Sequence, residues 1–393
     1  MRKPISKNAF NQGDAGLVFS LNEMANKRKE EGAKVINVTF GTLFDDNGKL
    51  ISFSKINELV TKNNNEFSRV YAPLDGGNLF KTNVESWVFG EYIDNLKSKY
   101  FFDSCVTPGG TGALYLAFRN YIDGNPLLIP ELGWANYKAL CNQMNKNFIE
   151  YPMFRGNQFA TEDLLEKCEE SIKLYGSCSV LINDPCENPT GYSLSDSEWA
   201  SIIDSLNQLN QKGPVNLILD VAYMDVAKEP RRFFKHLTNK KIDFNVLVCF
   251  SASKLFGIYG YRLGAIICLN SIEENVKDFI KASKLTSRAV WSNCNHLMIN
   301  AFNDFCADKA MISELHSELN DIKALLKDRY LRARETFDTL LECEPYPYEE
   351  GFFLVYPKDK AKEFNKKLIE KDIFALPLDN KYIRISICSF SKN

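Results

Sequence analysis

The chain has 393 residues, of which 45% are hydrophobic, so it is long enough for more than one core and we expect two domains. Its 48 basic and 50 acidic residues nearly cancel, which gives no sign of the positive surface that nucleic acid or an anionic membrane attracts. Eleven cysteines occur without a CxxC pair, and their odd number argues against a disulfide framework. We therefore expect a soluble protein of a reducing compartment, the cytoplasm by default, that binds neither nucleic acid nor membranes.

Two further absences narrow the functional classes. The first sixteen residues lack the apolar core of a signal peptide, and no apolar stretch approaches the length that spans a bilayer. The chain has only three histidines, His236, His296 and His316, and none stands in a metal-binding motif. This pattern disfavours a metal site and a Ser-His mechanism, so another type of residue must carry proton transfer.

Short apolar runs rich in β-branched residues alternate with helical patterns through the middle of the chain. The predicted strands are residues 127–129, 179–182, 216–219, 246–250 and 265–268. Such alternation is typical of an α/β domain with a mostly parallel central sheet. We expect residues 48–310 to form this large domain.

The C-terminal part follows a different pattern. A long helical periodicity runs from about Asn295 to Leu341, and two apolar runs, 351–356 and 382–387, follow it as predicted strands. We expect residues 311–393 to form a smaller α+β domain, with residues 1–47 packed against it.

Lys254 directly follows the predicted strand 246–250. Loss of hydration at a buried strand end disfavours the ammonium form and leaves a nucleophilic amine, which suits Schiff-base chemistry with an aldehyde. For this residue alone, a lysine that extends to solvent is the alternative. Two hydroxyls precede Lys254, and glycines and Arg262 follow it. Because these groups are what a bound phosphate requires, the segment predicts an amine beside a phosphate site.

Other chemically useful residues also stand next to predicted strands or helices. Gly110 and Thr111 precede a helical pattern, so their backbone amides would face an anion. Trp134 could stack on an aromatic ring, although a lone tryptophan more often belongs to a core. Asn188 lies in a loop that two X-Pro steps hold extended, or else in an ordinary turn. Asp220 ends a buried strand, where a carboxylate needs a cation such as a protonated pyridine nitrogen, or else it caps a helix.

Together these motifs resemble the class I, fold-type I aminotransferases that depend on pyridoxal 5'-phosphate, and the aspartate/aromatic branch in particular. The resemblance runs from about residue 37 to residue 384 and is most specific at residues 188–191, 220–223 and 251–262. It implies a large α/β domain with a mostly parallel seven-stranded central sheet flanked by helices. It also implies a smaller α+β domain made of N- and C-terminal segments, and a homodimer with active sites at the subunit interface.

The resemblance implies roles for individual residues. Lys254, Asp220 and Tyr223 would be catalytic, with Lys254 as the Schiff-base lysine and Asp220 as the partner of the pyridine nitrogen. The other cofactor contacts would be Asn188 and Tyr223 at the ring hydroxyl, Trp134 stacked on the ring, and Gly110, Thr111, Ser251, Arg262 and Tyr71 of the neighbouring subunit at the phosphate.

The substrate residues are implied in the same way. Arg384 resembles the arginine that binds the α-carboxylate, and Gly41 aligns with a glycine whose backbone lies beside the substrate, where Trp134 and Asn188 would also contribute. Arg288, three residues before Trp291, resembles the arginine that reaches across the dimer to the distal carboxylate of a dicarboxylic amino acid. The implied reaction is transamination between aspartate or glutamate and a 2-oxo acid such as 2-oxoglutarate or oxaloacetate.

Some positions depart from the family pattern, and other activities stay open. Gly109 stands where a serine is often found. Tyr137 stands where aspartate aminotransferases commonly place a histidine that supports the aspartate at the ring nitrogen. Cys294 and Asn295 replace a Pro-Pro step. Aromatic aminotransferases keep the arginine matched by Arg288. A pyridoxal-phosphate β-lyase would share the cofactor residues, and a non-enzymatic regulator that binds the cofactor is the remaining alternative, although the chain has no basic DNA-reading module.

Overall fold

The computed structural model describes residues 16–391. Its α-helices are α1 (Leu17–Glu30), α2 (Ile56–Asn63), α3 (Gly77–Phe89), α4 (Ile93–Lys97), α5 (Gly109–Tyr121), α6 (Asn136–Gln143), α7 (Thr161–Tyr175), α8 (Asp196–Asn210), α9 (Arg232–Asn239), α10 (Ala252–Phe256), α11 (Glu273–Val290), α12 (His296–Ala307), α13 (Lys309–Leu341) and α14 (Ala361–Ile369). Its strands are β1 (Ile36–Asn37), β2 (Phe101–Thr107), β3 (Leu127–Pro130), β4 (Phe148–Tyr151), β5 (Phe154–Arg155), β6 (Gln158–Phe159), β7 (Cys178–Asn183), β8 (Val215–Asp220), β9 (Asn245–Ser251), β10 (Gly264–Asn270), β11 (Phe353–Pro357), β12 (Ile373–Phe374), β13 (Leu376–Leu378) and β14 (Tyr382–Ser386).

The main sheet has seven strands in the order β2-β10-β9-β8-β7-β3-β4. Strand β10 is antiparallel to both of its neighbours, and the other neighbouring pairs are parallel. The central strands are almost continuously apolar because helices cover both faces of the sheet, as expected for parallel strands. The predicted α/β class with a mostly parallel seven-stranded sheet is therefore confirmed.

The register of the sheet brings several strand ends to one edge. Asn183 at the end of β7 pairs with Asp220 at the end of β8, and Asp220 pairs with Cys249 on β9. All five strands predicted for the large domain are present in this sheet, each slightly longer than its apolar run. Strands β2 and β4 were not predicted, because they lie at the two edges of the sheet and begin with exposed or half-buried residues.

A second, smaller unit contains the antiparallel sheet β11-β14-β13. Strand β1 joins this unit by pairing in parallel with β12, and α1 contacts β12 and β13. The described part of the N-terminal segment therefore packs against the C-terminal part of the chain. Residues 1–15 of that predicted segment lie outside the described residues, and the boundaries at residues 47 and 310 stay predictions.

The single long helix predicted from Asn295 to Leu341 is wrong, because the structure has two helices there, α12 and α13. Asp308 separates them with an extended backbone (φ −106°, ψ 102°). Its carboxylate accepts hydrogen bonds from the backbone amides of Ala310 and Met311, at 2.8 and 3.1 Å, and so caps α13. Both helices bury apolar residues, which is why the periodicity hides the break.

Candidate active site

A cavity of about 480 Å³ lies where the carboxyl ends of the parallel strands meet the smaller unit. Open α/β sheets commonly bind ligands at this edge, because the loops that follow neighbouring strands converge there. Eleven of the predicted site residues line the cavity: Gly41, Gly110, Thr111, Trp134, Asn188, Asp220, Tyr223, Ser251, Lys254, Arg262 and Arg384.

Lys254 lies in α10, directly after β9, with its side chain in the cavity. Its Nζ donates a hydrogen bond to the carbonyl oxygen of Gly41 at 2.9 Å and lies 4.4 Å from the centre of the Tyr259 ring. Burial lowers the pKa of Lys254 to about 8, and the positive charge of Arg384 acts in the same direction. At pH 7 about one tenth of this amine is therefore uncharged, far more than for a lysine in water.

Asp220 ends β8 and is 4% exposed. The Tyr137 hydroxyl donates to its Oδ2 at 2.7 Å, and the Ala222 amide donates to its Oδ1 at 3.1 Å. Burial raises the pKa of Asp220 to about 6, and the hydrogen bond from Tyr137 partly opposes that rise. The described chain thus surrounds this carboxylate with neutral donors, which leaves a place for a cationic partner.

Asn188 and Tyr223 meet beside Asp220. The Asn188 side-chain amide donates to the Tyr223 hydroxyl at 3.2 Å, and the Asn188 backbone amide donates to the Asn183 side chain at 2.8 Å. The second bond holds the loop after β7 against the end of its own strand. Burial raises the pKa of Tyr223, so its hydroxyl stays protonated at neutral pH.

Arg384 enters the cavity from β14 and is 7% exposed. One Nη donates to the Thr39 carbonyl, the other lies 3.4 Å from the Asn188 Oδ1, and the guanidinium lies 4.4 Å from the centre of the Phe353 ring. Its Nε is buried and has no hydrogen-bond partner among residues 16–391. Burial lowers the pKa of Arg384 to about 10, so it remains a cation at neutral pH. A buried guanidinium with a free donor is suited to bind a carboxylate.

An anion cradle, formed by Gly110, Thr111, Ser251, Ser253 and Arg262, lies at the other side of the cavity. Helix α5 begins at Gly109, so its first backbone N–H groups lack partners within the helix. The Ser253 hydroxyl is buried and has no hydrogen-bond partner in the part of the chain that the structure describes. The cradle offers amides, hydroxyls and a guanidinium, which are the donors that a phosphate group requires.

Gly109 and Gly110 are packed too closely for larger residues. A Cβ at Gly109 would lie 2.9 Å from an Nη of Arg262, and Gly109 has a φ of +75°. A Cβ at Gly110 would lie 3.2 Å from the Cβ of Ser251. The family often has serine at position 109, but in this chain the Arg262 guanidinium lies so close that a serine there would collide with it.

Gly41 and Trp134 form further parts of the wall. A Cβ at Gly41 would lie 2.6 Å from the Cζ of Phe353, so the close approach requires glycine. The Trp134 ring lies edge-on to the Tyr137 ring, with centres 5.6 Å apart. Trp134 thus borders the cavity next to the residue that bonds Asp220.

Sequence reasoning missed two groups of cavity residues. Ser253 was one of the two hydroxyls that indicated a phosphate site, but it was not assigned as a cofactor contact of its own. The apolar residues of the mouth carried no motif and could not be found from the sequence: Val18, Phe19, Phe40, Leu376 and Leu378.

Tyr71 and Arg288 lie outside the cavity of their own chain. Tyr71 is 84% exposed, and the exposed Arg288 donates to the Ser292 hydroxyl. Their segments adjoin, because the Asn293 side chain bonds the Ala72 amide at 2.8 Å and the Ala72 carbonyl at 2.6 Å. One exposed face therefore carries both residues, and their action on a neighbouring subunit stays a prediction.

Comparisons with known proteins agree with this arrangement. The family profile described as aminotransferase class I and II matches residues 33–393. The mitochondrial aspartate aminotransferase of Schizosaccharomyces pombe is 24% identical over 308 residues, covering 73% of this chain and 67% of that protein. A tyrosine aminotransferase of Klebsiella pneumoniae is 23% identical over 314 residues, covering 77% of each chain.

A solved aminotransferase structure from Anaerococcus prevotii has a TM-score of 0.91 and 32% identity to this chain. It aligns with 100% of this chain and 96% of its own. The profile match spans most of the chain, and this structural neighbour shares both its fold and its length. The chain is therefore an enzyme of the class I and II aminotransferase family.

Proposed function

We propose that this enzyme binds pyridoxal 5'-phosphate and transfers an amino group between aspartate or glutamate and a 2-oxo acid such as 2-oxoglutarate or oxaloacetate. The observation that carries the proposal is the convergence of Lys254, Asp220, Arg384 and the anion cradle in one cavity. These groups are complementary to the cofactor and a substrate carboxylate. Lys254 is an amine of lowered pKa, Asp220 is a buried acid with no cationic partner from the described chain, and Arg384 is a buried guanidinium with a free donor.

The described residues fit the cofactor on which this family depends. The anion cradle would hold the phosphate, and the unpartnered Ser253 hydroxyl would supply one of its donors. Asp220 would pair with the protonated ring nitrogen, since it has two neutral donors and no cation from the described chain. Asn188 and Tyr223 would contact the ring hydroxyl, and Trp134 would lie against the ring.

The bound cofactor supplies an aldehyde that condenses with amines and a ring that accepts an electron pair. Lys254, whose pKa is about 8, would accept a proton from the substrate Cα as a general base and then, as a general acid, donate it to the cofactor carbon that carried the aldehyde. Arg384 would bind the α-carboxylate and so set the orientation of Cα relative to Lys254. Asp220 would keep a proton on the ring nitrogen by remaining ionised beside it.

The dicarboxylate preference rests on Arg288 and on a homodimer. The face that carries Tyr71 and Arg288 also exposes large apolar side chains, Val70 and Val290 among them, at 61% and 49%. An exposed apolar patch of this kind is typical of a subunit interface. In a homodimer of this family, that face would deliver both residues to the neighbouring cavity.

The substrate preference can be tested with Arg288→Ala, using Lys277→Ala as a control. Lys277 is an exposed cation on the same helix, paired with Glu273 at 3.1 Å. We expect Arg288→Ala to lower kcat/KM for aspartate and glutamate by about 100-fold, because a charge-assisted pair with the distal carboxylate is lost. Phenylalanine should be little affected. An equal loss for all three amino acids, or a similar effect in Lys277→Ala, would contradict the role of Arg288.

Aromatic transamination is the second candidate, favoured by the apolar mouth of the cavity. Phe19 lies edge-on to Phe40, with ring centres 5.3 Å apart, and Leu376 and Leu378 line the same opening. A tyrosine aminotransferase is among the relatives at a similar identity. A higher kcat/KM for phenylalanine or tyrosine than for aspartate would favour aromatic transamination.

Release of pyruvate and ammonia without a 2-oxo acid acceptor would instead indicate a β-lyase.

We also propose a cytoplasmic location. All eleven cysteines are unpaired, which is typical of proteins in a reducing compartment. No helix within residues 16–391 is long and apolar enough to cross a membrane. Fractionation of cells that produce the protein would test this proposal, and recovery of the protein in an organelle or outside the cell would contradict it.

A further inference from the structure

Tyr137 holds the carboxylate on which the ring-nitrogen contact depends. It belongs to α6, is 1% exposed, and places its hydroxyl 2.7 Å from Asp220 Oδ2. The phenol has one proton to donate, and Asp220 is its hydrogen-bond partner. The two residues are 83 positions apart, so the folded structure creates this contact.

We propose that Tyr137 is a positioning residue that keeps Asp220 oriented and ionised as the anchor of the ring nitrogen, through a donor that stays neutral. This inference rests on the proposed binding of pyridoxal 5'-phosphate. A histidine at this position would donate a hydrogen bond to Asp220 from a ring that itself gains and loses a proton, whereas the Tyr137 phenol donates without a change of charge.

The surroundings hold the Tyr137 ring in place. Trp134 packs edge-on against it, and a Cβ at Gly133 would already lie 3.4 Å from its Cδ2. The Ala222 amide binds the opposite oxygen of Asp220 at 3.1 Å. One donor on each carboxylate oxygen fixes the rotation of the group and leaves further lone pairs for a ligand.

The other titratable groups that the described chain places near Asp220 would not stabilise its charge. Glu187, Tyr223 and Cys249 are the additional titratable neighbours, and each would repel the carboxylate if it ionised. Burial raises the pKa of Glu187 to about 8, so it is largely neutral at pH 7. Without the Tyr137 donor, burial would drive Asp220 further toward its neutral form.

No imidazole performs this task in the described chain, because the three histidines are engaged elsewhere. His236 pairs with Asp196 at 2.9 Å, His296 bonds the Val70 carbonyl, and His316 stacks on Trp87. Burial raises the pKa of Tyr137 well above its usual value. The donor to Asp220 therefore keeps its proton across the physiological pH range.

The test compares two ligands that differ at one ring atom. Dissociation constants are measured for pyridoxal 5'-phosphate and for its 1-deaza analogue, in which carbon replaces the ring nitrogen. The proteins are the wild type, Tyr137→Phe and Tyr151→Phe. Tyr151 is a matched control because it is equally buried and donates one hydrogen bond, to the Leu181 carbonyl at 2.9 Å.

We expect Tyr137→Phe to weaken binding of pyridoxal 5'-phosphate by about tenfold or more, since a hydrogen bond to a charged group is lost. Binding of the deaza analogue should change by less than about threefold, because it has no ring nitrogen for Asp220 to contact. Tyr151→Phe should leave the ratio of the two dissociation constants unchanged. Tyr137→His restores a donor and should recover part of the preference for the nitrogen-containing ligand.

Equal weakening for both ligands in Tyr137→Phe would overturn the inference and leave only a packing role for Tyr137. No change for either ligand would overturn it as well. If Tyr137→Phe does not fold, Tyr137→His is used instead. A folded Tyr137→His protein that binds pyridoxal 5'-phosphate no more tightly than the deaza analogue would also overturn the inference. Failure of the wild type to bind pyridoxal 5'-phosphate is a separate outcome, because it refutes the proposed function itself.

Discussion

Replacement of Arg384 should remove most of the catalytic efficiency while leaving the cofactor bound. Arg384 is buried beside Asn188 and Phe353, and its Nε has no partner within the described chain. A substrate carboxylate would accept hydrogen bonds from this guanidinium. Arg384→Met keeps a side chain of similar length in the cavity and removes both the charge and the donors.

The expected magnitude follows from the bonds lost. Two hydrogen bonds from a charged donor contribute about 1.5–3 kcal/mol each, or about 3–6 kcal/mol in total. At 1.36 kcal/mol for each factor of ten, kcat/KM should fall by about 10²–10⁴-fold. Arg384→Lys keeps the charge but loses the planar fork, so its loss should be smaller.

The assay is steady-state transamination with glutamate and oxaloacetate, together with titration of the cofactor. Arg334→Met is the matched control, because Arg334 bonds Asp338 at 2.6 Å on α13 and does not line the cavity. It should retain the wild-type kcat/KM. A loss below tenfold in Arg384→Met, with the cofactor still bound, would refute the assignment of Arg384 to the substrate carboxylate.

Two further predictions concern Gly41 and Asp220. Gly41→Ala should lower kcat by at least about tenfold, because its Cβ would lie 2.6 Å from Phe353 Cζ and would displace the carbonyl that Lys254 contacts. Gly260→Ala is the control and should be neutral, because a Cβ at Gly260 would have no atom of the described residues within 4 Å. Equal activity of both variants would contradict this. The pKa of Asp220 in the folded protein is about 6, above the ordinary value of 3.8 that applies to the unfolded chain. The free energy of unfolding of the cofactor-free protein should therefore fall as pH rises from 4 to 6. The Tm of cofactor-free Asp220→Asn should therefore exceed that of the wild type at pH 7 and approach it near pH 4, and a gap independent of pH would count against the pKa.

The central strands could be predicted because burial on both faces makes them continuously apolar. The edge strands β2 and β4 could not, since they begin with exposed or half-buried residues that interrupt such a run. The break between α12 and α13 depends on one capping residue, Asp308, within an otherwise helical pattern. Composition and periodicity thus identify the layers of the fold but do not place every boundary.

The polar site residues were predictable for a related reason. Asp220 ends one strand of the parallel part of the sheet, Asn188 and Lys254 follow two others, and these strand ends meet at one edge. The contact from Lys254 to Gly41 joins residues 213 positions apart, and no local pattern indicates it. The pairing of Tyr137 with Asp220 likewise depends on the packing of α6 against the sheet.

The most direct test of the central claim is to locate the covalent attachment of the cofactor. The purified protein is incubated with pyridoxal 5'-phosphate, reduced with borohydride, digested, and examined by mass spectrometry, with Lys254→Ala treated in parallel. We predict a pyridoxyl phosphate group on Lys254 and no comparable label in the variant. A label mainly on another lysine, or none in a wild-type protein that is folded, would contradict the assignment of the reaction to this cavity.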